Sequence, residues 1–253
     1  MIDANICFVG PFPVQTKRAN FLAELSAHLD NSRTCQYFTC LNPHSYAMSL
    51  DDDTFYAALQ ASRWVIPDGI GIKLLSGWGR NRIKNRVTGF DVFEFLMQES
   101  VARSKSVFLL GGSEDNLRRM SNKLREQYSD IQVVGSYSPE FCDDFSEEEN
   151  SRMVKKVNES GADIVLISLS APKQEKWIFR NQEKLNPVLC CPIGAVFDFY
   201  TGRVRRSPRV FRALGLEWLP RLLQEPARLW RRSLISPLVC VRDVFFTHKG
   251  RSL

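Results

Sequence analysis

The chain has 253 residues, of which 44% are hydrophobic and 25% charged, and its formal net charge is +6. This composition is ordinary for a globular protein, and the length allows one substantial core or a core with an appendage. We expect neither a bilayer-spanning segment nor a secretory signal, since no apolar run is long enough and no basic segment precedes one at the N-terminus. Seven cysteines without C-x-x-C spacing and three scattered histidines favour reduced core cysteines over a disulfide framework or a zinc site.

The charge is unevenly distributed along the chain. Residues 203–253 hold 12 Lys or Arg and 3 Asp or Glu, a balance of +9, whereas residues 1–202 have a balance of −3. Such a basic C-terminal segment predicts contact with something anionic, such as phosphate groups, nucleic acid or an anionic membrane surface.

Short apolar runs alternate with longer helical patterns from the N-terminus to Gly202. The predicted strands are Ile6–Val9, Cys35–Thr39, Trp64–Ile66, Val107–Leu110, Gln132–Val134, Ile164–Ile167 and Val188–Cys191. The predicted helices are Ala19–Leu29, Thr54–Ala61, Val92–Ala102, Asn116–Gln127, Glu147–Glu159 and Lys173–Lys184. This alternation predicts a three-layer α/β domain with a mostly parallel sheet and most strand-to-helix loops on one edge.

After Gly202 the pattern changes to short helices interrupted by prolines at 208, 220, 226 and 237. Arginines interleave with leucines and Trp230 in this part of the chain. The pattern fits a helix that lies on a membrane surface, and it fits equally a helical pair packed on the domain with solvated arginines. We therefore expect a core over residues 1–206 and a basic helical appendage over residues 207–253.

The segment WVIPDGIG, residues 64–71, has a carboxylate directly after a predicted buried strand. Pro67 ends the strand, and Asp68 stands beside Gly69. Two interpretations are open at this point. Asp68 suits the N-cap of a helix, and it also suits a catalytic carboxylate at the carboxyl end of a strand, where open α/β sheets bind ligands.

Two other strand ends carry groups suited to phosphates or sugar hydroxyls. In FLLGGSED, the turn at Gly111 and Gly112 can bring backbone N–H groups close to a phosphate. In SAPKQEKW, Lys173, Gln174 and Glu175 begin a helix and can bind the hydroxyls or base of a nucleotide sugar. The alternatives are a tight strand-to-helix turn and a solvated first helical turn.

Charged groups in three further segments are weaker candidates. Arg86 and Asp91 of RVTGFD can grip a diphosphate or form a surface ion pair. Asp198 stands among aromatic residues, so it either binds its own loop or faces a ligand. The acidic triplet 51–53 is similar to the Asp-x-Asp metal site of many sugar transferases, but capping of the following helix explains it. We therefore predict no metal site and no cofactor.

The order of these segments is more specific than any one of them. CLNPHSYAMSL, IPDGIGI, RVTGFD, FLLGGSED, APKQEKW, IGAVFDFYTGRVRRSP and GLEWLPRLLQEPARLWRR together resemble the WecG/TagA/CpsF family of bacterial glycosyltransferases (glycosyltransferase family 26), from about Phe38 to Arg232. The resemblance implies a Rossmann-like core with a C-terminal appendage and an inverting, metal-independent hexosyltransferase. It implies transfer from a UDP-sugar to a saccharide on undecaprenyl diphosphate in surface polysaccharide synthesis, with the protein held peripherally at the cytoplasmic face of the bacterial inner membrane.

The resemblance also implies roles for individual residues. It makes Asp68 the general base, and it assigns substrate binding to Asn42, Arg86, Gln174 and Asp198. It assigns the lipid diphosphate or membrane to Arg221, Arg228 and Arg231. We add Cys40, Gly69, Asp91, Gly111, Gly112 and Lys173 as candidates for donor or acceptor binding. Cys40 stands where the family has threonine, which weakens any role for a hydroxyl there.

Two other functions are open from the sequence. One is a metal-dependent UDP-sugar transferase that uses Asp51 and Asp53, and the other is a non-catalytic basic protein that binds membrane or nucleic acid. A nicotinamide-dependent oxidoreductase is excluded because no G-x-G-x-x-G opens the first βαβ unit. Of these, we expect the transferase, with a UDP-sugar, a polyprenyl-linked acceptor and a membrane surface as partners and without nucleic acid. The transferred sugar and the oligomeric state, a homo-oligomer included, are not predicted.

Overall fold

One mostly parallel sheet organises the protein. The computed structural model describes residues 5–77, 82–208, 210–211, 215–224 and 226–247. The strands in these ranges are β1 (Ile6–Val9), β2 (Phe12–Gln15), β3 (Gln36–Leu41), β4 (Trp64–Pro67), β5 (Ser106–Gly111), β6 (Gln132–Tyr137), β7 (Ile164–Ser168) and β8 (Leu189–Pro192). They form a sheet in the order β1-β2-β4-β3-β8-β7-β5-β6, in which only the β1–β2 pair is antiparallel. The predicted Rossmann-like α/β fold is confirmed.

Helices connect the parallel strands and continue into the basic C-terminal part. They are α1 (Arg18–Asn31), α2 (Pro43–Ser49), α3 (Asp53–Ala61), α4 (Ile70–Leu75), α5 (Gly89–Ala102), α6 (Glu114–Gln127), α7 (Glu147–Glu159), α8 (Lys173–Asn181), α9 (Val196–Thr201), α10 (Trp218–Gln224), α11 (Pro226–Trp230) and α12 (Ser236–Arg242). A 3₁₀ turn at Gln182–Lys184 follows α8, and π-helical turns at Arg231–Ile235 and Asp243–Thr247 flank α12.

The structure adds elements that the sequence pattern did not predict. Strand β2 contains Pro13 and has four residues, so it lacks the longer β-branched run by which a strand is recognised. Helices α2, α4 and α9 have six or seven residues each, too few to show a helical period. The capping expected of the acidic triplet is confirmed, because the Asp52 carboxylate accepts the Phe55 N–H at 2.9 Å.

Alternate residues of the central strands face two helical layers. Val107 and Leu109 of β5 belong to a cluster with α1, α5, α6 and α9, whereas Phe108 and Leu110 belong to a cluster with α7 and α8. A third cluster packs α2, α3, α4 and α12 on β2, β3 and β4. Both faces of the strands are covered, which explains their continuous apolar sequences. Each fully buried large side chain contributes about 1.5–3 kcal/mol, so these clusters hold the sheet edge in place.

Helix α12 belongs to this third cluster although it lies in the expected appendage. Cys240 is fully buried there. Ser236 Oγ lies 3.0 Å from His44 Nδ1, and the Tyr46 hydroxyl donates to Asp243 Oδ2 at 2.6 Å. A boundary at residue 206 thus separates two sequence patterns, while α12 completes the core. In the described ranges, no helix combines enough length with enough apolar character to cross a bilayer.

Candidate active site

The carboxyl ends of the parallel strands bring several predicted site residues to one edge of the sheet. Leu41 pairs with Pro67, so Asn42 and Asp68 follow neighbouring strand ends. Ile167 pairs with Pro192 further along, and Gly111 pairs with Ser168. Because β3 lies next to both β4 and β8, the polar groups after these strands form a continuous row.

The N-cap interpretation of Asp68 is wrong. The N-cap of α4 is Gly69, with φ of 97°. No side chain therefore caps this helix. The backbone N–H of Asp68 instead donates to the Leu41 carbonyl at 2.8 Å, which fixes the residue at the end of β4. The left-handed φ requires glycine after Asp68, since a side chain there would be strained.

Asn42 stands at the strand end next to that of Asp68. The Asn42 Oδ1 caps α2 by accepting the backbone N–H groups of His44 and Ser45, each at 3.0 Å. With its oxygen held in this way, the amide nitrogen is the end that remains for the site, and the Asn42 side chain acts to lower the pKa of the Asp68 carboxyl against the larger effect of burial. A short capping box therefore determines which end of the Asn42 side chain faces the site.

Asp68 lines a cavity of about 360 Å³ that the C-terminal part of the chain helps to enclose. Arg86 and Arg232 both line it, and Arg86 Nη2 donates to Glu217 Oε1 at 2.9 Å. We call this cavity the Asp68 pocket. Burial raises the pKa of Asp68 above its ordinary value, the two arginines oppose this rise, and Glu217 adds to it. The result is a carboxylate of increased basicity beside two guanidinium groups.

His44 also lines the Asp68 pocket. Burial, with a smaller contribution from Arg232, lowers the pKa of His44 to about 4. The imidazole is therefore neutral near pH 7, so it offers the pocket a polar group without adding a positive charge.

A second polar group lies where β7 and β8 end. Gln174 Oε1 accepts the Gly194 N–H at 3.2 Å, and Gln174 Nε2 donates to Glu175 Oε1 at 2.8 Å. Ser168 Oγ donates to the Gly194 carbonyl at 2.7 Å. We call these four residues the Gln174 cluster. Both Asp68 and Glu175 lie close enough to Cys40 to raise the pKa of its thiol, after the larger effect of burial, so this cluster neighbours the Asp68 pocket.

The glycine turn after β5 continues the row. Gly111 and Gly112 have φ of 94° and 74°. A Cβ on Gly111 would meet the Ser168 carbonyl at 2.7 Å, so only glycine fits beside β7. Asn116 Nδ2 donates to Asp198 Oδ1 at 3.0 Å, which places Asp198 against the first turn of α6 and partly satisfies its carboxylate.

Some predicted site residues lie apart from these groups. Lys173 donates to the Cys142 carbonyl, with its ammonium 5.3 Å from the Phe141 and Phe145 rings, and lines a different cavity of about 390 Å³. Asp91 forms a capping box with Thr88 at the start of α5. These contacts stabilise local structure.

The arginines predicted to bind the lipid diphosphate or the membrane also do not gather at the Asp68 pocket among the described residues. Arg231 is exposed, with its guanidinium 5.4 Å from the Trp230 ring. The side chains of Arg221 and Arg228 lie outside the described residues. Arg232, the next residue after Arg231, is the tail arginine that lines the Asp68 pocket.

Sequence reasoning did not select His44, Asn116, Glu217 or Arg232 as site residues, and it gave Glu175 only as the third polar group of the PKQE segment. Two signals for them were present: His44 stands two residues after Asn42, and Glu217 belongs to the GLEW segment. The contact between Arg86 and Glu217 spans 131 residues, so no local pattern reports it.

Among the described residues, no three His, Cys, Asp or Glu side chains are grouped so that they could hold a metal ion. The acidic triplet is engaged in part, since Asp52 Oδ2 accepts a hydrogen bond from Lys176 Nζ at 2.8 Å as well as capping α3. The cationic groups in the Asp68 pocket are therefore arginines of the chain itself.

A Rossmann-like sheet that places a carboxylate, two arginines and a glycine turn at its carboxyl edge has the layout of an α/β enzyme with its ligand site at that edge. The chain belongs to the glycosyl transferase WecG/TagA/CpsF family, whose model matches residues 9–252. It is therefore a glycosyltransferase, as the sequence resemblance implied.

Two curated relatives carry the same name, N-acetylglucosaminyldiphosphoundecaprenol N-acetyl-beta-D-mannosaminyltransferase. The protein from Bacillus subtilis (strain 168) is 28% identical over 224 residues, which cover 88% of this chain and 85% of the relative. The protein from Bacillus spizizenii (strain ATCC 23059 / NRRL B-14472 / W23) is 27% identical over 225 residues, which cover 88% and 84%.

Proposed function

We propose that this glycosyltransferase moves a sugar from a UDP-sugar to a saccharide on undecaprenyl diphosphate, with inversion and without a metal ion. The observation that carries the proposal is the Asp68 carboxyl group, which lines one pocket together with Asn42, Arg86 and Arg232. The names of the two relatives support a polyprenyl-diphosphate acceptor and make N-acetylmannosamine the first sugar to test.

In the proposed reaction, Asp68 takes the proton from the acceptor hydroxyl as this oxygen attacks the anomeric carbon of the donor. The bond from that carbon to the diphosphate breaks, and UDP leaves with the electron pair. Direct displacement inverts the anomeric carbon. The β configuration in the relatives' names is the one that a single displacement on an α-linked nucleotide sugar produces.

The donor and acceptor are assigned to neighbouring parts of the sheet edge. The Asp68 pocket holds the attacking hydroxyl, and its arginines stabilise a diphosphate by charge-assisted hydrogen bonds. Gln174, the glycine turn and Asp198 bind the donor. Backbone N–H groups at the glycine turn and the N-terminus of α6 favour the UDP phosphates. The glycine turn and the N-terminus of α6 stabilise the leaving diphosphate in this proposal, so transfer proceeds without a divalent cation.

The test is a transfer assay with purified protein, a panel of UDP-sugars and a short-chain polyprenyl diphosphate carrying N-acetylglucosamine, read by mass. We expect one sugar to be added to the acceptor, and we expect the same result with and without EDTA. Loss of transfer on chelation, restored by magnesium or manganese, would favour a metal-dependent enzyme that uses Asp51 and Asp53. Absence of transfer from every UDP-sugar would contradict the proposed donor class.

We further propose that the C-terminal helices attach the enzyme peripherally to the cytoplasmic face of the membrane. Residues 236, 240 and 243 of α12 and the following turn are buried against the core. The opposite side exposes a row of large apolar side chains, namely Leu234, Ile235, Leu238, Val241 and Phe246. Exposed arginines at 231, 232 and 242 lie along the same segment. An apolar row flanked by arginines matches the interface of an anionic bilayer.

This proposal predicts that replacing Leu238 and Phe246, which are 68% and 80% exposed, by aspartate weakens binding to vesicles containing phosphatidylglycerol. Each lost apolar side chain costs roughly 1.5–3 kcal/mol of insertion, so we expect binding to fall by at least tenfold in a flotation assay. Phe141→Asp is the matched control, since Phe141 is 97% exposed in the loop before α7. Equal losses of vesicle binding in the Leu238/Phe246 variant and in Phe141→Asp would contradict the assigned surface. Higher salt should also weaken vesicle binding by the wild-type protein.

A further inference from the structure

Two neighbouring polar side chains at the start of α8 are buried together. Gln174 and Glu175 are each only 4% exposed. The carbonyl end of Gln174 accepts the Gly194 N–H, and its amino end donates to Glu175 Oε1. The reverse orientation would place the amino group against the Gly194 N–H and the carbonyl against the Glu175 oxygen. Gly194 and Glu175 therefore select one of the two orientations of the amide.

The selected orientation leaves a hydrogen-bond donor unused. A side-chain amide has two N–H groups, and Glu175 accepts from one of them. Within the described part of the chain, no acceptor takes the second N–H of Gln174. Gln174 lies in the first turn of α8 and contacts Gly194 in the loop after β8, so its side chain lies at the sheet edge where β7 and β8 end.

Among the described residues, Gln174 is the side chain to which the Glu175 carboxyl group is hydrogen-bonded. Its Oε2 is buried and has no partner there. Burial raises the pKa of Glu175 to about 7, so the chain retains a carboxyl group where its ionisation is costly. An apolar side chain of similar volume would avoid this cost. The hydrogen bond to Gln174 is therefore the feature that distinguishes glutamate from leucine at this position.

We infer that Glu175 is a positioning residue that holds the Gln174 amide so that its second N–H binds an oxygen of the donor. This inference rests on the proposed function, because it assigns Gln174 to the UDP-sugar. The oxygen belongs to a sugar hydroxyl, an acetamido carbonyl or a phosphate, all of which accept a hydrogen bond from a neutral amide. Glu175 itself does not touch the donor, since both of its oxygens are buried beneath Gln174 or within the core.

The experiment is a double-mutant cycle with UDP-N-acetylmannosamine as the donor probe. We expect Glu175→Leu to raise the donor KM about tenfold, which corresponds to 1.4 kcal/mol, and to change kcat little. Glu175→Gln keeps an acceptor oxygen, so its KM should stay within about twofold of wild type. In a Gln174→Leu background, Glu175→Leu should have no further effect, because the residue through which it acts is gone. Additive effects of the two changes would overturn the inference.

Two measurements separate positioning from a general structural role. The melting temperature of Glu175→Leu should equal or exceed that of wild type, since the change removes a buried carboxyl group. A lower melting temperature with an unchanged KM would show a structural role instead.

A measurement without ligand separates the inference from the proposed function. NMR of the free protein should show one Gln174 side-chain N–H that is protected from exchange in wild type and loses protection in Glu175→Leu. Unchanged protection would overturn the positioning contact. Failure of the wild-type protein to use any UDP-sugar would instead contradict the proposed function.

Discussion

Asp68→Asn should lower kcat by about 10² to 10⁴, the range expected for loss of a general base. Asparagine keeps the shape of the side chain, but it cannot take a proton. The proposed donor site lies at the neighbouring strands, so affinity for UDP should stay near the wild-type value. Single-turnover kinetics and calorimetric titration with UDP measure the two quantities separately.

The pH dependence of kcat/KM provides an independent check on Asp68. The residue acts as the carboxylate, so activity falls as the pH drops through its pKa. Because burial raises this pKa, the fall should begin at a higher pH than for an ordinary aspartate. Glu217→Gln removes a charge that raises the pKa and should move the acid limb to lower pH, while Arg232→Gln should move it to higher pH.

Asp52→Asn is the matched control for Asp68→Asn. Asp52 caps α3 and binds Lys176, away from the Asp68 pocket, and asparagine is an equally good N-cap residue. Its kcat should equal that of wild type. Near-normal turnover by Asp68→Asn would refute the base assignment, and another group in the pocket would then have to accept the proton.

The sequence was sufficient to predict where the strands end, because each strand end is marked by a local pattern of residues. Buried apolar runs followed by Pro67 or by Gly111 identify where a strand stops, and parallel connectivity places these stops at one edge. Asp68 was recognisable for this reason, whereas Asn42 was selected through the family resemblance. Contacts across the chain were not, because Glu217 reaches Arg86 only after the C-terminal part folds over the sheet.

The C-terminal part of the chain shows a second reason why the sequence could not predict every site residue. Residues 231–235 form a π-helical turn, in which hydrogen bonds span five residues and the angular position of each side chain shifts. Ideal helical spacing therefore does not determine which of two adjacent arginines reaches the Asp68 pocket. The structure selects Arg232, whereas Arg231 packs beside Trp230. Such turns depend on tertiary packing and leave no clear mark in the sequence.

The second large effect should follow from removing residues 236–253. Every strand of the sheet precedes Gly202, so the sequence pattern alone leaves the core intact without the tail. The structure leads to a different expectation, because Cys240 is fully buried in the third core cluster and Asp243 accepts the Tyr46 hydroxyl. Burial and the bond to Asp243 raise the pKa of Tyr46, so its hydroxyl stays protonated and needs an acceptor.

Deletion from Ser236 onward should therefore lower the free energy of unfolding by roughly 3–5 kcal/mol, through an exposed core cluster and an unpaired hydroxyl. For a chain of this size we expect a melting temperature roughly 10 °C lower, measured by calorimetry. Tyr46→Phe should reproduce part of the same loss in the full-length chain, about 1–3 kcal/mol, because it removes the buried hydrogen bond to Asp243. Leu238→Ser is the matched control on the exposed side of α12 and should leave the melting temperature unchanged. If the deletion variant melts at the wild-type temperature, α12 contributes nothing to the core, and residues 207–253 form a separable appendage after all.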